Sequence, residues 1–278
     1  MSSQMSIHDE IKAQQQKTKD MTFKGKLSYF WDYYKIHTLA AILVTAFIVS
    51  FIHSYVTHKD YAFYAILINP MVYGDNTDTP VMWAEEFQEY AGIDPEEYQV
   101  YFDTSVMLSD DAGSQYDIAN REKMMAMMQV GDISTIIADT ETFESYAQFE
   151  YFYDLKSLFS EEELAPYKDL LYYTDAASFD DVETDLLQND QGQQAVYEKD
   201  IDHTNPASMA DPVAVGICIP MENNKLADAG YYDYLKENNT TFQGHPSQIV
   251  LGIPVNYQEP QYVLKLLEYL TIVPSTSY

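Results

Sequence analysis

The sequence predicts an α/β domain with a largely parallel sheet, carried behind one N-terminal transmembrane helix. Three observations carry this. Nineteen residues, Thr38 to Val56, contain no Lys, Arg, Asp or Glu, and at 1.5 Å per residue they reach about 28 Å, close to the hydrocarbon thickness of a bilayer. Beyond them, short runs rich in Val, Ile, Tyr and Phe alternate with longer segments of helical spacing, the pattern of βαβ crossovers. Charge is also divided unevenly along the chain. Residues 1–36 carry six lysines against four acids, whereas residues 57–278 carry nine basic residues against forty acids. Short positive flanks stay in the cytoplasm while long segments are translocated largely regardless of their own charge. The expected organisation is therefore a cytoplasmic tail (1–36), a transmembrane helix in the lipid bilayer (37–57) and an extracellular domain (58–278).

A secretory signal peptide is the rival to an uncleaved anchor. The positive region is 36 residues long, no small-x-small cleavage site follows Phe51 to Val56, and no cysteine follows to take a lipid. Aromatics crowd both ends of the apolar run: Tyr29, Phe30, Trp31, Tyr33 and Tyr34 before it, Tyr55, Tyr61, Phe63 and Tyr64 after it. Such belts suit the membrane interface, where an amphipathic ring meets both lipid and water. Ahead of the span, Ile7 to Lys19 is polar and Gln-rich, and Phe23 to Ile36 has aromatics at helical spacing that continue into it.

The elements of the domain follow in order. Tyr61–Ile68 is a strand closed by Asn69-Pro70; Pro80–Tyr90 is a helix with Pro at its start and acids in its first turns; Tyr98–Val106 is a second strand. Tyr116–Gln129 is a helix stopped by Gly131, Asp132–Ala138 a third strand, and Glu141 to about Tyr151 a helix. After Pro166 the sequence is acid-rich and weakly periodic through Asp200, with a loop at Asp202–Asp211. Order returns with a strand at Val213–Ile219, a helix near Lys225–Asn238, a strand at Gln248–Pro254 and a closing helix at Glu259–Thr271.

Composition bounds the function. A field as negative as −29 repels nucleic acid and anionic lipid headgroups, so no nucleic-acid partner is expected. The single cysteine, Cys218, sits in an apolar run and reads as a buried small hydrophobe. No intramolecular disulfide can form. Of six histidines only His203 and His245 lie well inside the domain, and they share no metal-ligand spacing with each other or with Cys218. Asp75, Asn76 and Asp78, or Ser109, Asp110, Asp111 and Asp117, supply oxygen ligands of the kind calcium takes, but neither run matches an EF-hand loop, and solvated surface is the preferred reading. Met124, Met125, Met127 and Met128 form a thioether cluster on one helix, read as packing rather than as a soft-metal or apolar-partner face. No catalytic residue, cofactor or metal is assigned.

Three segments carry a resemblance: Gly131 to Asp139, Phe152-Tyr-Asp-Leu-Lys-Ser-Leu158, and Ile249 to Asn256 leading into Glu259 to Leu270. They resemble the extracellular solute-binding proteins of the type 2 periplasmic-binding class, and Phe30-Trp-Asp-Tyr-Tyr-Lys35 resembles the juxtamembrane stretch of single-span proteins of Gram-positive Firmicutes. The resemblance implies a membrane-anchored binding protein for a small polar solute, with a second lobe reduced to fit the shorter chain. In open α/β sheets ligands gather beyond the carboxyl ends of strands, which here nominates Asn69, Met71, Asp139, Thr140, Met221, Asn256 and Tyr257. Two other classes stay open: an accessory or structural subunit of a cell-envelope complex that binds a protein partner, and a carbohydrate-active enzyme. A deep pocket with convergent polar groups marks the first reading, a flat tyrosine-rich patch the second, and two facing carboxylates in a groove the third.

Overall fold

A computed structural model describes residues 12, 21–57, 59–72, 74–109, 114–179 and 201–271. The chain divides into two units, residues 1–58 and 59–278. The first unit is dominated by α1, Phe23–Thr57, one unbroken helix of 35 residues. Its stretch Tyr34–Val56 is long and apolar enough to cross a membrane. Leu43, Phe47 and Phe51 on that stretch are exposed. Apart from Lys12, the polar segment Ile7–Lys19 lies outside the described residues.

The second unit follows the alternation of strand and helix: β1 (Asp60–Ile68), α2 (Thr79–Ala91), β2 (Tyr98–Val106), α3 (Gln115–Val130), β3 (Thr135–Asp139), α4 (Thr140–Ala147), two single turns α5 (Leu155–Leu158) and α6 (Glu161–Leu164), β4 (Leu171–Asp175) and β5 (Pro212–Ile219). Next come the short helices α7 (Lys225–Ala229) and α8 (Asp233–Glu237), a small hairpin β6–β7 (Thr241–Phe242, His245–Pro246), β8 (Ile249–Gly252) and α9 (Gln261–Thr271). Local chemistry sets the ends. Gly92 and Gly131 close α2 and α3 in the left-handed conformation, and each amide bonds back to the last turn. The Asp139 side chain caps α4, and Ser160 with Glu163 forms a reciprocal capping box on α6.

Strand order in the sheet is β2-β1-β3-β8-β5-β4. Side chains alternate between two apolar layers with the period of two expected of a pleated strand. Phe63, Ala65 and Leu67 face Trp83 and Phe87 of α2 and Leu266 and Leu270 of α9, while Tyr64, Ile66 and Ile68 share a cluster with Met124 and Met128 of α3 and Phe143 of α4. Burial on both faces explains why these strands read as continuous apolar runs. The methionine cluster divides accordingly: Met124 and Met128 are core, and Met125 is exposed.

The sheet is mixed, so the largely parallel expectation holds in part. β1 pairs in parallel with β2 and β3, but β8 runs antiparallel to both β3 and β5, and β4 antiparallel to β5. The connection after β5 is the cause. Backbone and side chain of the α7–α8 turn bond residues at the carboxyl ends of the parallel strands, Met71 through the Tyr231 carbonyl and Ile68 and Ile137 through the Tyr232 hydroxyl. The chain is therefore still at that edge when β8 begins, and it can only run back. Gly230, in the left-handed conformation, breaks the single helix expected over Lys225–Asn238. The strand expected from Asp132 starts at Thr135, and the helix expected to reach Tyr151 ends at Ala147.

The loop after β4 is held by Asp175, whose carboxylate accepts from the amides of Ala177, Ala210 and Asp211 at 3.1, 2.9 and 2.8 Å. Burial alone raises its pKa, but the three amides outweigh burial and hold it below the usual carboxylate value. Its contribution is thus present above the ordinary aspartate pKa of about 3.9 and is lost as pH falls through the lowered folded-state value. Asp175→Asn should cost about 1 kcal/mol at pH 7, and unfolding midpoints measured down a pH series should show that deficit vanish in acid.

Candidate functional site

The antiparallel course of β8 splits the seven nominated residues between opposite edges of the sheet. Asn69, Met71, Asp139, Thr140 and Met221 lie at the carboxyl ends of β1, β3 and β5, where the protein's own groups engage them. Asn69 takes a positive φ of 55°, and its Oδ1 accepts from the Leu108 amide at 2.6 Å. The Met71 amide donates to the Tyr231 carbonyl at 2.7 Å, and its carbonyl accepts from the Asn76 side chain at 2.8 Å. Asp139 accepts from the amide and hydroxyl of Thr142 at 3.0 and 2.8 Å and also holds the Tyr234 hydroxyl. Thr140 exchanges hydrogen bonds with the backbone of Gln248 at 3.2 and 2.8 Å, and the Met221 carbonyl accepts from Lys236. Across this edge lies Tyr232, 2% exposed, its hydroxyl 3.0 Å from the carbonyls of both Ile68 and Ile137. These contacts tie the polar groups of this edge to the protein's own backbone and side chains.

Asn256 and Tyr257 lie at the other edge, because β8 ends where β1 and β3 begin. The Asn256 side-chain amide donates to the Gln129 carbonyl at 3.3 Å, and the Tyr257 hydroxyl donates to the Ala62 carbonyl at 3.3 Å. Neither can share a ligand site with Asp139. Of the oxygen-ligand runs, Asn76 is committed to the carbonyls of Met71 and Ala229, while Asp110 and Asp111 lie outside the described residues. Among the described residues, no group of three or more His, Cys, Asp or Glu is placed to hold a metal ion.

A polar cluster that no sequence spacing marks lies inside the second layer. Glu144 of α4 is 3% exposed and accepts from the hydroxyls of Tyr172 and Thr174 on β4 at 2.9 and 2.6 Å. His203, 7% exposed, sets its Nδ1 3.6 Å from the same carboxylate and 2.7 Å from the Tyr173 carbonyl, with its Nε2 2.8 Å from the Gln243 side-chain amide. Its ring stacks on Tyr172 with centroids 4.8 Å apart. Burial holds the Glu144 carboxyl above the usual range, against His203, Thr174, Tyr172 and Gln148, which favour its charged form. Glu144, His203, Tyr172 and Thr174 all have protein partners, which marks a structural tie between α4, β4 and the loop after β4, while the buried Oε1 of Gln148 beside them has none among the described residues. Nearby Cys218 is buried as expected, and burial pushes its thiol up to about 12.

The remaining concentration of side chains is a tyrosine strip at the outer end of the sheet. β2 is an edge strand, paired with β1 alone. Tyr61 and Tyr101 are 46% and 44% exposed, and both rings pack on Tyr64, with centroids 5.1 and 5.2 Å away. Tyr64 is buried and donates to Asp103 Oδ2 at 2.7 Å, while the Ser105 amide and hydroxyl bond Oδ1 at 2.9 and 2.6 Å. The Lys123 ammonium reaches the same carboxylate at 3.5 Å from an exposed position. Burial raises the Asp103 pKa, but Ser105, Tyr64 and Lys123 together hold it below the ordinary value. Farther along, exposed Tyr116 donates to the Ser105 carbonyl at 3.3 Å. A rigid polar base thus presents two amphipathic rings to solvent, next to the open side of a strand. No protein family, curated protein or solved structure matches this chain.

Proposed function

We propose that this protein is a membrane-anchored accessory protein, with its N-terminus in the cytoplasm and its domain outside, that binds a protein partner through the Tyr61–Tyr101 strip across β1 and β2. The observation that carries the reading is the exposure of two packed tyrosine rings held from beneath by Tyr64 and Asp103. Tyrosine supplies a large contact area with little entropy to lose and a hydroxyl at its rim, and it is enriched where proteins meet. Binding rather than catalysis accords with the Glu144–His203 pair, which is shut away from solvent. The anchor and its orientation rest on the apolar stretch of α1 and on the lysines ahead of it.

Protease added to intact cells should remove the domain beyond residue 58 and leave the tail protected; protection of the domain would refute the orientation. Tyr61→Ala with Tyr101→Ala should weaken partner binding by at least about 2 kcal/mol, as loss of two interface anchors does, while leaving the melting temperature nearly unchanged. A thermal-shift screen of sugars, peptides and polyamines separates this reading from solute binding. A compound that raises the melting temperature of the wild type but not of Asp139→Ala would favour the solute.

A further inference from the structure

The part of α1 that precedes the apolar stretch carries a second pattern. Phe23, Leu27, Phe30 and Tyr34 are spaced four, three and four apart, and the same phase continues through His37, Ala41, Val44, Ile48, Phe51 and Tyr55. Alternating intervals of four and three make the 3.5-residue repeat that keeps one stripe facing a partner helix. The stripe is visible as a ladder of rings, with Phe30 stacked on Tyr34 at 5.4 Å and Tyr34 edge-on to His37 at 6.4 Å. Lipid covers apolar side chains between residues 34 and 56 whatever their phase. It cannot cover Phe23 and Leu27, which are 84% and 60% exposed and begin about 16 Å along the helix before Tyr34. Lys24 and Lys26, with Trp31 and Tyr33, flank the stripe, and Ser28 and Asp32 lie on the far side of the same turns.

We infer that α1 pairs in parallel with α1 of a second copy of this chain, through the stripe from Phe23 to Tyr55. This rests on the reading of α1 as a membrane anchor. A partner must be a helix with the same 3.5-residue repeat, at the same depth and running in the same direction. A second copy anchored in the same membrane meets all three conditions without adjustment. The flanks agree with self-pairing as well. In a parallel pair, position g of one heptad meets position e of the next on the other helix, which sets Lys26 against the partner subunit's Trp31, a cation over an indole face.

Single cysteines placed in the full chain test this, with buried Cys218 left in place. Membranes from cells making Leu27→Cys, Phe30→Cys, Ser28→Cys or Asp32→Cys are treated with a copper oxidant and then washed with alkaline carbonate. A disulfide needs Cα atoms within about 7 Å, so Leu27→Cys and Phe30→Cys should give an adduct of twice the chain's mass, about tenfold above the other two. Equal adduct at all four positions, no adduct at any, or an adduct containing a different protein overturns the pairing. A carbonate-released chain that still crosslinks at 27 and 30 keeps the pairing and overturns the anchor instead.

Discussion

Glu144→Ala should destabilise the domain by about 3–5 kcal/mol, because it leaves two buried hydroxyls without their acceptor at about 1–3 kcal/mol each and opens a cavity beside them. The substitution leaves the hydroxyls of Tyr172 and Thr174 without their acceptor in a site whose residues are 0–7% exposed, while His203 keeps the Tyr173 carbonyl and the Gln243 side chain. In a domain of this size that loss lowers the melting temperature by roughly 10 °C. Glu144→Gln keeps the volume and one acceptor and should lose less. The pH dependence has a definite sign. Burial raises the folded-state pKa of Glu144, so its contribution is full below the unfolded glutamate value of about 4.3 and falls as pH rises through the folded value. The deficit of Glu144→Gln should therefore shrink as pH rises. A loss below about 1 kcal/mol for Glu144→Ala would mean that water reaches the carboxylate.

Phe143→Ala should be comparably damaging, about 3–5 kcal/mol. The ring is fully buried, stacked on Phe152 at 4.3 Å and edge-on to Tyr172 at 5.3 Å. It lies against two strand glycines. A Cβ on Gly252 would come within 2.6 Å of the Phe143 ring, and one on Gly216 within 3.0 Å. Gly252→Ala alone should thus cost about 1–3 kcal/mol by overpacking. In the double variant the added methyl enters space that the ring has left, so the two effects should sum to less than their total. Strict additivity in denaturant unfolding of the four proteins would contradict this packing.

Much of the first half of the fold is legible in the sequence because its signals are local. Tyr98–Val106 is bounded as expected, and Gly92 and Gly131 mark helix ends by a conformation that glycine adopts freely. β4 escapes because Leu-Tyr-Tyr-Thr-Asp is five residues with all but the last buried, so it shows no alternation. The direction of β8 escapes for another reason. Its apolar run reads the same forwards and backwards, and contacts distant in sequence, those of Tyr231, Tyr232 and Thr140 at the sheet edge, fix its course. That single reversal separates Asn256 and Tyr257 from Asp139. Glu144 and His203 are 59 residues apart and meet only through the pairing of β4 with β5 and the loop between them, so no spacing rule could join them. The abundance of tyrosine in the sequence hides which residues reach the surface: Tyr64, Tyr172 and Tyr232 are core, while Tyr61 and Tyr101 are exposed.

Binding of a protein partner at the β2 edge is tested most directly by a photo-crosslinking side chain placed at Tyr101 of the full chain in its own membrane, with Glu162 on α6, also exposed, as the control position. Illumination should yield a discrete protein adduct from position 101, none from 162, and a large loss of the adduct when Tyr61→Ala is added. Equal labelling from both positions, or an adduct that survives Tyr61→Ala undiminished, would contradict docking on the tyrosine strip.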